Sequence, residues 1–339
     1  MTDKSPERNL ALELVRVTEA AALAAAQYMG TDDKNAGDQA AVDAMRLMLS
    51  TVEMDGVIVI GEGEKDRAPM LYNGEIVGNG SPPAVDIAVD PVEGTRLLAL
   101  GRANALSVIA LTARGGMWQP GPSLYLYKLV VDRRAREVID LNQSPAENLK
   151  RIANALNRPV SKLTVFILDR PRHADLIREV RRTGARVSLQ TDGDVAGGLL
   201  ATTFGSGIDV LMGIGGTPEG VITAAAVKAL GGGMQARPMP QSEEETRRVQ
   251  AALGDQWNKV LTQDDLIRSE EAFFAATGVT DGPLLEGVRY DREAGVTTHS
   301  IIIRAKTGTV RYIKAVHQLE KLAEISQIDY TDARGKSGF

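Results

Sequence analysis

No cysteine occurs anywhere in the 339 residues. Disulfides, thiolate zinc sites and cysteine-nucleophile catalysis are thereby excluded. Histidine is nearly as scarce, with only His173, His299 and His317. A histidine-rich metal centre is impossible, so any bound metal must use oxygen ligands and be a hard cation such as Mg²⁺ or Mn²⁺. Surplus positive charge is also missing. The formal net charge is -5 with no basic tract to offset it, which argues against nucleic acid and anionic membrane as partners. An anionic substrate would need local help from metals or a few placed arginines. No apolar run reaches the roughly 18 residues of a membrane span. The alanine-rich stretch TEAAALAAAQYMG (18–30) contains Glu19, follows Glu13 and Arg16, and has no basic leader. It reads as a helix rather than an export signal, which makes the cytoplasm the expected compartment.

What is present is an ordinary globular composition, 43% hydrophobic and 24% charged, long enough for two domains or one large one. Helical spacing runs from Glu7 to Met29 and from Gly37 to Val52. Strand-like runs follow at Gly56–Gly61, at AVDIAVD, from Ala105 and from Ser123. From Pro145 helices and strands alternate: helix 146–156, strand LTVFIL, helix 173–183, strand ARVSLQ, helix 195–203, strand IDVLMGIG, helix 219–230. That alternation implies a partly parallel sheet covered by helices, after an α+β first part. A polar segment, 240–270, reads as surface helix and loop, and four more strand-like runs follow it: EAFFAATGV, LLEGVRY, THSIIIRA and TVRYIKAV. The expected division is an α+β domain over 1–145, an α/β domain over 146–320 and a polar tail over 321–339.

The most informative stretch is VDIAVDPVEGTR, Val85 to Arg96. Its β-formers predict a buried strand that ends near Asp90, with Pro91 stopping ladder pairing and Glu93-Gly94-Thr95 opening a turn or helix. A helix cap needs only one carboxylate, whereas Asp90 and Glu93 could converge on one point, as metal ligands do. GEGEKD supplies a second acidic turn after a strand, with Glu62, Glu64 and Asp66; by itself such a loop reads as solvated surface. Asp38 stands near a helix start, where favouring the helix dipole is sufficient explanation. Glu219 follows Pro218 in GIGGTPEGV, which is also good helix-start chemistry, although the glycines before it leave backbone N–H groups accessible to an anion. Asp192 and Asp194 in QTDGDVAG mimic the aspartyl-phosphate motif of haloacid-dehalogenase-like phosphatases, but GIDVLMGIGG lacks the acidic pair that this family needs downstream. Arg170 and Arg172 in LDRPRH read either as solvated loop arginines or as a bidentate phosphate clamp. His173 beside them reads as a helix-start residue rather than a catalyst.

Taken in order, GEGE, VDPVEGT and GTPEGV resemble the class II fructose-1,6-bisphosphatases, within the metal-dependent, lithium-sensitive phosphatase superfamily that includes inositol monophosphatases. KNAGDQAAVDAMR, RANALSVIAL, DRPRH, DGDVA and FFAATGVTDGPLLEGV extend the resemblance over nearly the whole chain. The resemblance implies a layered α-β-α-β-α sandwich, the sugar phosphatase fold. It implies one metal held by Asp38 and Glu62, and another held by Asp90, Glu93 and Glu219 with the Val92 carbonyl assisting. Thr95 would position the attacking water. Tyr125, Arg170, Pro171 and Arg172 would bind the substrate and its distal phosphate. Asp192, Gly193 and Asp194 would bind sugar hydroxyls, with Gly94, Gly216 and the weaker candidate Lys34 adding contacts; Asp66 is equally weak. The activity implied is metal-dependent hydrolysis of the 1-phosphate of fructose 1,6-bisphosphate, a step of gluconeogenesis, with two or more Mn²⁺ or Mg²⁺ ions about 4 Å apart. Sedoheptulose 1,7-bisphosphate or another sugar or inositol phosphate is the alternative substrate. A non-catalytic sugar-phosphate sensor is the alternative function, and Thr95 speaks against it. The resemblance also implies a homodimer or homotetramer.

Overall fold

A computed structural model describes residues 9–61, 71–291 and 295–326. In chain order the helices are α1 (Ala11–Ala26), α2 (Lys34–Ser50), α3 (Thr95–Ala99), α4 (Pro145–Ala155), α5 (Ala174–Arg182), α6 (Val195–Thr202), α7 (Thr217–Leu230), α8 (Glu243–Leu253), α9 (Gln263–Leu266) and α10 (Leu319–Ser326). The strands are β1 (Asp55–Ile60), β2 (Ile76–Val77), β3 (Ala84–Glu93), β4 (Leu106–Ala113), β5 (Tyr125–Val131), β6 (Thr164–Leu168), β7 (Arg186–Gln190), β8 (Val210–Gly216), β9 (Gly233–Pro238), β10 (Leu261–Thr262), β11 (Ala272–Gly278), β12 (Arg289–Asp291), β13 (Gly295–Arg304) and β14 (Thr309–His317).

The strands form two mixed sheets. The first has the order β12-β13-β11-β4-β3-β1-β2, with β14 also paired to β13, and the second has the order β10-β9-β5-β8-β6-β7. Strands β6, β7 and β8 pair in parallel, as the helix–strand alternation there implies. The chain crosses from the first sheet to the second between β4 and β5 and returns between β10 and β11. Sheet membership therefore changes at these crossings rather than at the change of rhythm near Pro145.

Three apolar cores stack the layers. The first joins α1 and α2 to one face of the first sheet, through Leu14, Val17, Met45 and Leu49 against Ile87, Val89 and Phe273. The second lies between the sheets, where α6 and α7 pack on Ala88, Val108 and Phe274 from one side and on Leu126, Val130 and Phe166 from the other. The third joins the outer face of the second sheet to α4 and α5, through Leu129, Val165 and Ile167 against Leu149, Ile152 and Val180. The order is α-β-α-β-α. The alanine wealth of α1 follows from its place: it is buried nearly all round, and small side chains let a helix approach both a sheet and a neighbouring helix closely. Asp33 caps α2 by accepting from the Ala36 N–H at 3.0 Å, and Ser144 caps α4 by accepting from the Glu147 N–H at 3.1 Å with Pro145 in its first turn.

One expectation needs correction. Strand β3 does not end at Asp90 but continues through Pro91 to Glu93. In its register with β4, Asp90 faces Val108 and Glu93 faces Leu106, so three steps on β3 match two on β4. This is a β-bulge, and a bulge is one of the few places where a strand tolerates a proline, because one residue there is left out of the ladder.

Candidate active site

The bulge has a direct consequence for the two carboxylates. On a regular strand, residues three apart point to opposite faces. Here the extra residue restores the phase. Val89 and Val92 both enter the core under α1 and α2, and Asp90 and Glu93 both turn to the opposite side, towards the middle layer. Glu219, in the first turn of α7 after β8, comes to meet them. One carboxylate oxygen from each of Asp90, Glu93 and Glu219 lies within 4.8 Å of the others.

Glu93 is the buried member, 3% exposed. Its Oε1 accepts from the backbone N–H groups of Asp194 at 2.6 Å and Val195 at 2.9 Å, at the start of α6. Burial, then the neighbouring charges of Glu219 and Asp194, push its pKa up to about 8. Asp90 shares a hydrogen bond with it. Glu219 Oε2 is buried and has no hydrogen-bond partner among the described residues. Three converging carboxylates, one of them buried and crowded by like charge and one with a buried oxygen that meets no donor among the described residues, fit a hard cation. Gly216 makes the geometry possible. A Cβ there would lie 1.9 Å from Glu219 Oε2.

These groups line one cleft of about 510 Å³ between the sheets, within the size range of small-molecule sites. From α2 come Lys34, exposed at the rim, and Asp38. Asp38 is not among the three clustered carboxylates. From the β3–α3 junction come Val92, Gly94 and Thr95; Gly94 is the N-cap of α3 at φ 83°, and Thr95 is its half-buried first residue.

Tyr125, Arg170, Arg172, the loop 192–194 and Gly216 also line the cleft. The Arg172 guanidinium lies over the Tyr125 ring, 5.3 Å from its centroid, and donates to the Ile214 carbonyl at 2.9 Å. Arg170 pairs with Asp192 at 2.6 Å, and Asp192 also accepts from the Arg96 N–H at 3.3 Å. Both arginines are thus held in place from within the protein, which lowers the entropic cost of presenting them to an anion. Pro171 begins the short turn between them and is not part of the lining. Glu62, Glu64 and Asp66 lie outside the described residues.

His173 stands at the start of α5, as expected, but its ring is buried. Nδ1–H donates to the Leu168 carbonyl at 2.7 Å, and Nε2 accepts from the Ile214 N–H at 2.7 Å. Asn73, Ser123 and Thr217 also line the cleft without having been singled out from the sequence. Lys128 was missed as well. It is 1% exposed and lies 2.5 Å from Asp194 Oδ2. A lysine inside the apolar run SLYLYKLVV was the available signal, since a charge in a buried strand requires a partner.

Fold and site together define a layered α/β protein with an acidic, cation-fitting cleft whose opposite chemistry is supplied by paired arginines. Comparison with known proteins makes the assignment specific. The family model described as "Bacterial fructose-1,6-bisphosphatase, glpX-encoded" matches residues 8–317, and the chain belongs to that family. It is 48% identical over 327 residues to the Escherichia coli K12 protein named fructose-1,6-bisphosphatase 1 class 2, covering 93% of this chain and 96% of that one. The fructose-1,6-bisphosphatase class 2 of Shigella flexneri matches with the same identity and coverage.

Proposed function

We propose that this protein hydrolyses the 1-phosphate of D-fructose 1,6-bisphosphate, releasing fructose 6-phosphate and inorganic phosphate; its relatives are named class 2 fructose-1,6-bisphosphatases. The observation that carries the reading is the joining, in one cleft, of the Asp90–Glu93–Glu219 cluster with Arg170 and Arg172. A substrate with two phosphates offers one to each. Placement within the lithium-sensitive superfamily of inositol monophosphatases belongs to the same reading, and the carboxylate cluster supports it.

In this mechanism Asp90, Glu93 and Glu219, with the Val92 carbonyl, would hold one divalent cation, Mn²⁺ or Mg²⁺, and Asp38 with Glu62 a second. When bound, such ions neutralise phosphate oxygens, favour ionisation of a coordinated water and stabilise the departing alkoxide. The remaining work is done by side chains of the chain itself. Thr95, at the mouth of α3, orients the attacking water through its hydroxyl. The water oxygen bonds to phosphorus, the bond from phosphorus to the sugar oxygen breaks, and the proton that the water gives up ends on the sugar oxygen as a hydroxyl. Arg172, fixed on Tyr125, and Arg170, fixed by Asp192, grip the distal phosphate. Asp192, Asp194 and the backbone at Gly193 and Gly216 meet the sugar hydroxyls.

The test is phosphate release from fructose 1,6-bisphosphate with Mn²⁺ or Mg²⁺, comparing the wild type with Thr95→Ala. Metal-dependent turnover that the substitution reduces by about a hundredfold or more is expected, the general range for groups acting on the transferred proton. Metal-independent turnover, or faster hydrolysis of inositol 1-phosphate, would overturn the reading.

A further inference from the structure

Lys128 is a charge in the wrong place for a structural residue. It shares the face of β5 with Leu126 and Val130, both in the core between the sheets, and it is among the largest fully buried side chains of the described residues. Its ammonium lies 2.5 Å from Asp194 Oδ2 and donates to the Gly216 carbonyl at 3.3 Å. The fit around this pair is close. A Cβ at Gly215 would stand 1.9 Å from Asp194 Oδ2 and 2.6 Å from the lysine nitrogen.

Both partners of Lys128 connect directly to the carboxylate cluster. The backbone N–H of Asp194 is one of the two donors that hold Glu93, and Gly216 is the residue whose missing side chain admits Glu219. Asp194 itself is 5% exposed, and its Oδ1 has no partner among the described residues. Without Lys128 it would be an unpaired carboxylate beside the three of the cluster, in surroundings too dry to screen it. The segment carrying it would be driven away, and Glu93 would lose its donor.

We propose that Lys128 is a positioning residue, the buried counter-ion that lets Asp194 stay beside the Asp90–Glu93–Glu219 cluster and so holds Glu93 in the orientation a divalent cation requires. The inference rests on the metal reading given above. Lys128 touches neither metal nor substrate; it acts through Asp194 and Gly216. Outer groups that orient metal ligands generally matter by 10- to 100-fold in metal affinity when removed.

The test is Mn²⁺ binding to the metal-free full-length protein, measured by calorimetry without any sugar phosphate. Lys128→Met should bind Mn²⁺ at least about tenfold more weakly than the wild type. Lys128→Met combined with Asp194→Asn removes both charges and should recover most of that loss. Lys128→Gln, which keeps a hydrogen bond to Asp194 but not the charge, serves if the methionine variant does not fold, and should also bind more weakly. Wild-type affinity in the folded single variant, or a double variant as weak as the single one, overturns the proposal. A wild-type protein that binds no Mn²⁺ overturns the metal reading itself, which distinguishes the two failures.

Discussion

Asp90 and Glu93 stand three residues apart on one strand yet face the same cleft, because the strand bulges between them at Pro91. Neither carboxylate could be moved by one position without leaving the cluster, since a one-residue change of phase sends a strand side chain to the opposite face. Asp90→Asn keeps the shape and removes one negative ligand. It should weaken Mn²⁺ or Mg²⁺ binding by more than the 10- to 100-fold typical of outer groups and reduce phosphate release in proportion. Unchanged affinity in a metal titration would show that Asp90 is not a ligand.

Gly216→Ala tests the approach of Glu219. Position 216 is extended at φ -63° and ψ 150°, which alanine adopts freely, and the atoms a Cβ would meet are those of the Glu219 carboxylate. The side chain should therefore swing away while the backbone stays. The expected result is a loss of metal affinity of about tenfold or more, with a thermal midpoint changed by only a few degrees. Metal affinity equal to the wild type would mean that Glu219 can bind from another rotamer.

Arg172→Ala should raise KM for the bisphosphate by about tenfold or more, since a charge-assisted pair with phosphate contributes on the order of 1.5–3 kcal/mol. A substrate with a single phosphate should be affected much less. Arg172→Lys should not restore the wild-type KM, because a lysine ammonium cannot both lie flat over Tyr125 and donate to the Ile214 carbonyl with a planar fork. An equal rise in KM for both substrates would remove Arg172 from the distal phosphate site.

His173 gives a pH dependence of stability. Burial, and next in size after the opposing hydrogen bond to Leu168 the charge of Arg172, lower its pKa from the usual 6.5. The folded protein thus keeps the ring neutral at a pH where the unfolded chain already protonates it. This stabilising contribution is intact above about pH 6.5, falls as pH drops below that value, and levels off below the folded-state pKa. The slope attributable to His173 should approach, at most, about 1.4 kcal/mol per pH unit. Denaturant unfolding of wild type and His173→Gln between pH 7 and pH 5 measures it, and identical slopes would sink the assignment.

Phe274 tests the layer that carries the site. It is fully buried in the core between the sheets. Phe274→Ala should cost about 3–5 kcal/mol of stability, read from the same denaturant curves, whereas a loss under about 1 kcal/mol would mean that the two sheets do not share that core.

Much of this was legible in the sequence. The main helices and strands could be read because periodicity acts over a few neighbours, as after Pro145, whereas the cap at Asp33 went unread and α2 begins at Lys34 rather than Gly37. Strand β9, GMQARP, was not read as a strand, since its glycine, glutamine, arginine and proline carry no strong β preference; pairing on both sides with β5 and β10 sets it. The bulge at Pro91 was misread as a strand end, because a proline in sequence marks only the loss of a donor and not where the partner strand runs.

The sequence by itself determined that no thiolate can hold a metal here, and its few histidines and many acidic turns pointed to oxygen ligands. It also determined which acidic turns follow which strands. Only the tertiary structure decided that Asp90 and Glu93 point the same way, that Glu219 reaches them across Gly216, and that Asp194 is neutralised from below by Lys128. The reason is range. Local patterns report what a residue does to its immediate neighbours, whereas these meetings depend on register and packing between elements far apart in the chain, more than a hundred residues for Asp90 and Glu219.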